Sequence, residues 1–197
     1  AYAGSGLATL LLTGPSGSSD YGVRVTVTPS ASSTAPIGIS IGGVVAQWDP
    51  GGVALCTAPS FQQEPVITSD GRGGAIVGWF DRRSAGQQDI YARRVTSGGV
   101  PQWTADGVLL CSAPNDQTFP FIVSDGEGGA ILTWRDWRDS LSADVYAQRV
   151  DSSGVARWTS SGVAVCTAND YQILSGLVSD GDGGAIIPWT DARAGVG

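Results

Sequence analysis

Apolar and polar positions alternate with a period of two over short stretches, and Gly or Pro interrupts every window in which a helical period could build. Four strands are predicted between residues 48 and 103. The first, 65–69, closes on the turn Asp70-Gly71-Arg72-Gly73-Gly74, where Gly supplies the positive φ of a tight reversal. The second, 75–80, sets Ala75, Val77 and Trp79 on one face, apolar as packing against a core requires. The third, 89–96, carries Tyr91 and Val95 on one side and Ala92 and Arg94 on the other. Ser97-Gly98-Gly99 then turns the chain into a fourth strand at 100–103. Helix content is expected to be small.

This pattern returns after 55 residues, and then again. Ser-Asp-Gly-x-Gly-Gly-Ala, an apolar run and Trp-x-Asp-x-Arg occupy 69–83, 124–138 and 179–193. Trp48, Trp103 and Trp158 keep the same period, as do Cys56, Cys111 and Cys166. Segments 48–102 and 103–157 share 28 identities in 55 positions, so the chain is a tandem repeat. Repeats are assigned to 48–102, 103–157 and 158–197, the last truncated.

Residues 1–47 are less regular. Strands are expected at 6–13 and 20–26, and Tyr21-x-x-Arg24-Val25-Thr26 echoes Tyr91-x-x-Arg94-Val95-Thr96. A Pro/Ser/Thr-rich insertion fills 27–40, and 44–48 matches Val100-Pro101-Gln102-Trp103. The segment reads as a degenerate, incomplete repeat.

Four short antiparallel strands per repeat, in tandem, predict an all-β chain and a β-propeller of about three and a half blades. A β-solenoid fits less well because its coils are shorter, and a row of tandem small β-sheets or sandwiches leaves each core thin. Trp-x-Asp-x-Arg, Asp-Ile-Tyr-Ala-x-Arg-Val and Trp-x-x-x-Gly-Val-x-Leu-Cys resemble the tandem repeats of large secreted or surface proteins in several bacterial phyla. Over about 43–197, that resemblance implies a propeller, and in the family such repeats often precede sorting or adhesion modules. It implies no catalytic residues.

Composition narrows the function classes. The 197 residues contain no His and no Met, all eleven cations are Arg, and the net charge is −7. That balance disfavours nucleic acid and anionic membranes as partners. The apolar cluster at 7–12 is too short to span a bilayer, so no membrane insertion is expected. An extracellular or cell-surface location is expected, with any leader removed or outside this sequence. One Cys per repeat predicts a small core residue rather than a disulfide, and short-spaced metal ligands are missing.

Three constellations could carry chemistry. Asp81, Asp136 and Asp191 stand with Arg83, Arg138 and Arg193, and near them come Asp89, Asp144, Arg94 and Arg149. Paired carboxylates serve glycoside hydrolysis, but recurrence in every repeat favours Asp–Arg pairs that pin strand ends. Asp180-Gly-Asp182-Gly-Gly resembles a calcium loop, yet Arg72 and Glu127 stand where Asp182 does, which favours a hairpin turn. Of seven tryptophans, Trp79, Trp134 and Trp189 hold one repeated position and Trp48, Trp103 and Trp158 the other, which suits packing. Trp137 is the exception, with Arg82 and Ala192 at its equivalents, and is the predicted contact surface.

No nucleophile–base pair, cofactor site or metal site is predicted, and the expected role is non-catalytic: structural, cell-surface or fibre-forming. The unpaired half blades at the two ends would pair head to tail, making self-association or membership of a surface assembly the expected partnership. A glycan-binding or adhesion propeller is the alternative, and a glycosidase-like enzyme comes third.

Overall fold

The structure, a computed structural model, describes residues 7–13, 22–28, 52–84 and 86–193. The chain divides into two units, Ala1–Ala46 and Gln47–Gly197. In the first, β1 (Leu7–Thr13) and β2 (Gly22–Thr28) form an antiparallel ladder from Leu7↔Thr28 to Thr13↔Gly22. The second expected strand, 20–26, is observed over 22–26 and continues to Thr28, while residues 20–21 lie outside the described residues. Residues 29–40 of the expected insertion, and the match at 44–48, lie outside the described residues.

The second unit is built of sheets. Strands β3 (Gln62–Ser69), β4 (Ala75–Asp81), β5 (Asp89–Val95) and β6 (Val108–Cys111) pair in chain order as one antiparallel sheet. Strands β7 (Gln117–Ser124), β8 (Ala130–Asp136), β9 (Asp144–Val150) and β10 (Val163–Cys166) repeat that order. In the third copy the first hairpin persists as two short ladders, β11 (Gln172–Leu174) with β14 (Trp189–Asp191) and β12 (Val178–Ser179) with β13 (Ala185–Ile186). The break corresponds to a bulge in the earlier copies. There the register shifts between Gln63 and Val66, and between Thr118 and Phe121, with Glu64 and Phe119 each at φ 51°. The chain is all-β, with no helix among the described residues.

Two expectations need correction. The fourth strand is Val108–Cys111, not 100–103. After its turn the chain touches the outer edge of β5 only briefly, through a bridge between Val95 and Pro101 and a 2.7 Å bond from Gln102 N to Arg94 O. Pro101 brings no N–H to a ladder, and Trp103, at φ 65°, turns the backbone away. Val108–Cys111 then returns along Ile90–Ala92, so two segments share one edge. The second sheet does the same with the Val150–Ala156 bridge and β10.

The other correction concerns faces. Alternation predicted one packed face for the second strand, but β4 buries both: Trp79 on one side, Ile76 and Phe80 on the other. The cause is stacking. The Ile76–Gly78–Phe80 face of the first sheet lies on the Ala130–Leu132–Trp134 face of the second, forming the main core with Ile90, Leu110 and Val150. Gly78 permits this approach, since a Cβ there would come within 2.4 Å of the Leu132 Cδ2 atom. The Arg135 side of β8 reaches the third copy, where Arg135 Nη2 lies 3.5 Å from Leu174 O.

Candidate functional site

The carboxylate at the end of the second strand of each sheet gathers a fixed set of partners. Asp81 Oδ2 accepts from Trp79 Nε1 at 3.1 Å and from Arg83 Nη2, while Oδ1 accepts the Arg83 backbone N–H at 2.9 Å. Arg83 Nη2 also donates to Asp106 O at 2.8 Å and lies 3.0 Å from Cys56 Sγ, and its guanidinium sits 4.0 Å over the Tyr91 ring. In the second sheet, Asp136 accepts from Trp134 Nε1 at 2.8 Å and from Arg138 Nη2 at 2.7 Å. Arg138 donates onward to Ser161 O at 2.9 Å. In the third, Asp191 accepts from Trp189 and Arg193, with Cys166 Sγ 3.8 Å from Arg193 Nη2.

The geometry explains why the same residue types recur. A strand sets residues two apart on one face, so Trp, Asp and the start of Arg align along one edge of the sheet. The cysteine comes from the sheet before: Cys111 ends β6, and its Sγ stands 3.8 Å from Asp136 Oδ2. The cluster is a bond between consecutive sheets. Asp81 and Asp136 are 0% exposed. Burial works to raise the Asp81 carboxyl, but hydrogen bonds from Arg83 and Trp79 outweigh it and hold the group below the usual carboxylate range.

Of the other charged residues in the predicted set, Arg94 and Arg149 turn elsewhere. Arg94 pairs with Asp70 at 2.7 Å and Arg149 with Asp125 at 2.9 Å, tying the third strand to the first turn. Asp70 Oδ1 also accepts the backbone N–H groups of Arg72 and Gly74, both at 2.8 Å. Asp125 and Asp180 bond their own turns in the same way. The acidic loop is thus closed on itself by the carboxylate that would have been its first ligand. Among the described residues no group of three or more His, Cys, Asp or Glu is gathered for a metal ion.

Asp89 and Asp144 are different. They lie directly across the ladder from Asp81 and Asp136. Burial pushes the Asp89 carboxyl up, the Asp81 charge adds to it, and the Ser84 hydroxyl offsets part. Burial and the charges of Asp139 and Asp136 raise Asp144 likewise. Two carboxylates with divergent proton affinity are what acid–base chemistry needs, but Asp81 and Asp89 are both buried, at 0% and 2% exposure.

Sequence reasoning missed two participants. Tyr91 and Tyr146 lie beneath the arginines, and only their period of 55 marked them. Gln62, Gln117 and Gln172 open the first strand of each copy, and Gln117 and Gln172 are fully buried. Gln117 Nε2 donates into the Ala113, Pro114 and Asn115 carbonyls, and Gln172 Nε2 into those of Ala168, Asn169 and Asp170. Each amide thereby ties down the loop that enters its sheet.

Trp137 stands apart from these clusters. It lines a surface cleft of about 460 Å³ together with Gln87, Asn115, Asp116 and Ser140. Its ring meets Tyr171 edge-on, with centroids 5.7 Å apart. Tyr171 itself lines a second cleft, of about 290 Å³, with Leu141, Ser142 and Asn169. No protein-family model matches this chain, and neither a curated protein nor a solved structure matches it.

Proposed function

We propose that the chain is part of a non-catalytic β-propeller repeat protein with a structural role outside the cell or on its surface. The observation that carries this reading is the recurrence of one Cys–Asp–Arg–Trp cluster in all three copies, with its carboxylate oxygens occupied by donors from the chain itself. A catalytic centre is a single arrangement with a group left free to react; here the same satisfied arrangement repeats as a fastener.

The propeller geometry draws support from the four-stranded meanders and from their stacking, with β3 and β7, the first strands of consecutive sheets, lying against each other. Successive sheets join through unlike faces, a heterologous contact that can continue from one chain to another, which favours self-association as the partnership. The acidic, Lys-free composition suits a solvated outer surface.

Negative-stain microscopy of the protein from its full reading frame, with protease shaving of intact source cells, tests the reading. Ring-shaped particles and loss of the protein on shaving are the expected results. An elongated particle removes the propeller, and a shaving-resistant protein removes the surface role.

A further inference from the structure

The fold requires a residue at position 137, but it does not require tryptophan. Trp137 N donates to Asp116 O at 3.0 Å, and the same backbone bond is made by Arg82 to Phe61 and by Ala192 to Tyr171. Arginine, tryptophan and alanine all serve the ladder equally. Tyr171 is likewise one of three alternatives, with Phe61 and Asp116 at its equivalents. Where the first sheet meets the second, the two positions hold Arg82 and Asp116; where the second meets the third, they hold Trp137 and Tyr171. The aromatic contact therefore rests on two residues that both depart from the repeat at one junction.

The cleft that Trp137 lines is half furnished with hydrogen bonds. Asn115 Nδ2 reaches Ser140 Oγ at 2.7 Å and Trp137 O at 3.2 Å, fixing the loop that carries Trp137. Asp116 Oδ1 accepts from Gln88 N at 3.0 Å, which leaves Oδ2 available. The Gln87 side-chain amide and the Trp137 indole N–H have no partner among the described residues. An aromatic side chain thus borders a mixed set of donors and acceptors in an open groove.

We propose that this cleft binds a neutral sugar residue, stacked by its C–H face on Trp137 with its hydroxyls bonded to Asp116, Gln87 and Ser140. A pyranose matches both halves of the lining, since one face presents C–H groups and its rim presents hydroxyls that donate and accept. Asp116 is the one ionisable group in the lining and the chain carries a net charge of −7, which disfavours acidic sugars and phosphates. A small ammonium ion would use Asp116 and the ring but leave the Gln87 and indole donors unused. This ligand is additional to the scaffold role and does not depend on where the protein resides.

Calorimetric titration of the full chain with neutral pentasaccharides of glucose, N-acetylglucosamine, xylose and mannose tests the proposal. At least one binds, Trp137→Ala weakens it by about tenfold or more, and Trp137→Tyr keeps most of the affinity. Gln87 is exposed, so Gln87→Ala weakens binding without moving the melting temperature. Silence with all four sugars overturns the proposal. So does undiminished binding by Trp137→Ala and Gln87→Ala, or binding of tetramethylammonium in place of sugar. None of these results bears on particle shape or surface location, so the two readings fail separately.

Discussion

The Arg138 guanidinium lies 3.6 Å over the Tyr146 ring while it grips the Asp136 carboxylate from one side. Arginine here is neutralised, stacked and hydrogen-bonded to the Ser161 carbonyl at once. Removing the carboxylate strands a cation that is 23% exposed and also frees the Trp134 indole N–H and the Arg138 backbone N–H. Asp136→Ala should cost about 2–3 kcal/mol, discounted for that exposure, and lower the melting temperature by roughly 5–10 °C. Asp191→Ala, whose partner Arg193 is 54% exposed, should leave the melting temperature nearly unchanged. Equal effects from the two substitutions, read by calorimetry, would refute the fastener role.

The first two sheets approach each other closely at Gly78, which gives a sharper test of stacking. A methyl group there meets Leu132 Cδ2 at 2.4 Å, and Leu132 is fully buried. Gly78→Ala should therefore destabilise by about 1–3 kcal/mol through overpacking. Leu132→Ala alone should cost about 2–5 kcal/mol through the cavity it leaves. Combined, each change relieves the other, so urea melts of the double variant should show less than the sum. Strict additivity would mean that the two residues do not meet.

The parts of this architecture that were legible in the sequence share one property: they are local. The turn at Asp70 depends on residues two and four positions away, and the Trp79–Asp81–Arg83 row follows from strand alternation. What was illegible involves residues far apart in the chain. Val108–Cys111 reads as a connector because its partners in the ladder lie 16 or more residues earlier, while 100–103 reads as the strand because a tight turn precedes it. Cys111 carries no sign that it abuts Asp136, since the two belong to different sheets. Trp137 is marked in the sequence by its failure to repeat, and Asp116 fails to repeat as well, but only the fold brings their loop and linker together beside Gln87.

Stability should depend on pH in two opposing ways. Asp70 and Asp81 have folded-state proton affinities below the ordinary carboxylate value: burial opposes this, but hydrogen bonds from Arg72, Arg94 and Gly74 to Asp70, and from Arg83 and Trp79 to Asp81, prevail. Their contribution is complete above the unfolded value of about 4 and is lost as pH falls through the lower folded value. Asp89 is raised by burial, so its sign is reversed. Its contribution is present below about pH 4 and disappears as pH rises through the folded value. Asp89→Asn should therefore gain stability relative to the native chain between about pH 3 and pH 7. Denaturant melts across that range check it, and a constant difference at every pH would show that Asp89 is not held up by burial.

The three thiols should react in an order set by burial. Cys111 is 1% exposed, and burial pushes its thiol up to about 12, so almost none is thiolate at neutral pH. Cys56 is raised too, chiefly by burial, but is half-buried, as is Cys166. Iodoacetamide at about pH 8 should label Cys56 and Cys166 while Cys111 stays protected until the chain unfolds. Mass spectrometry of the digested adducts over time gives the order directly. Asp136→Ala removes the Arg138 anchor beside Cys111 and should hasten its labelling. If Cys111 instead reacts first in the native chain, the junction between the first two sheets is open, and the fastener assigned to that cluster is wrong.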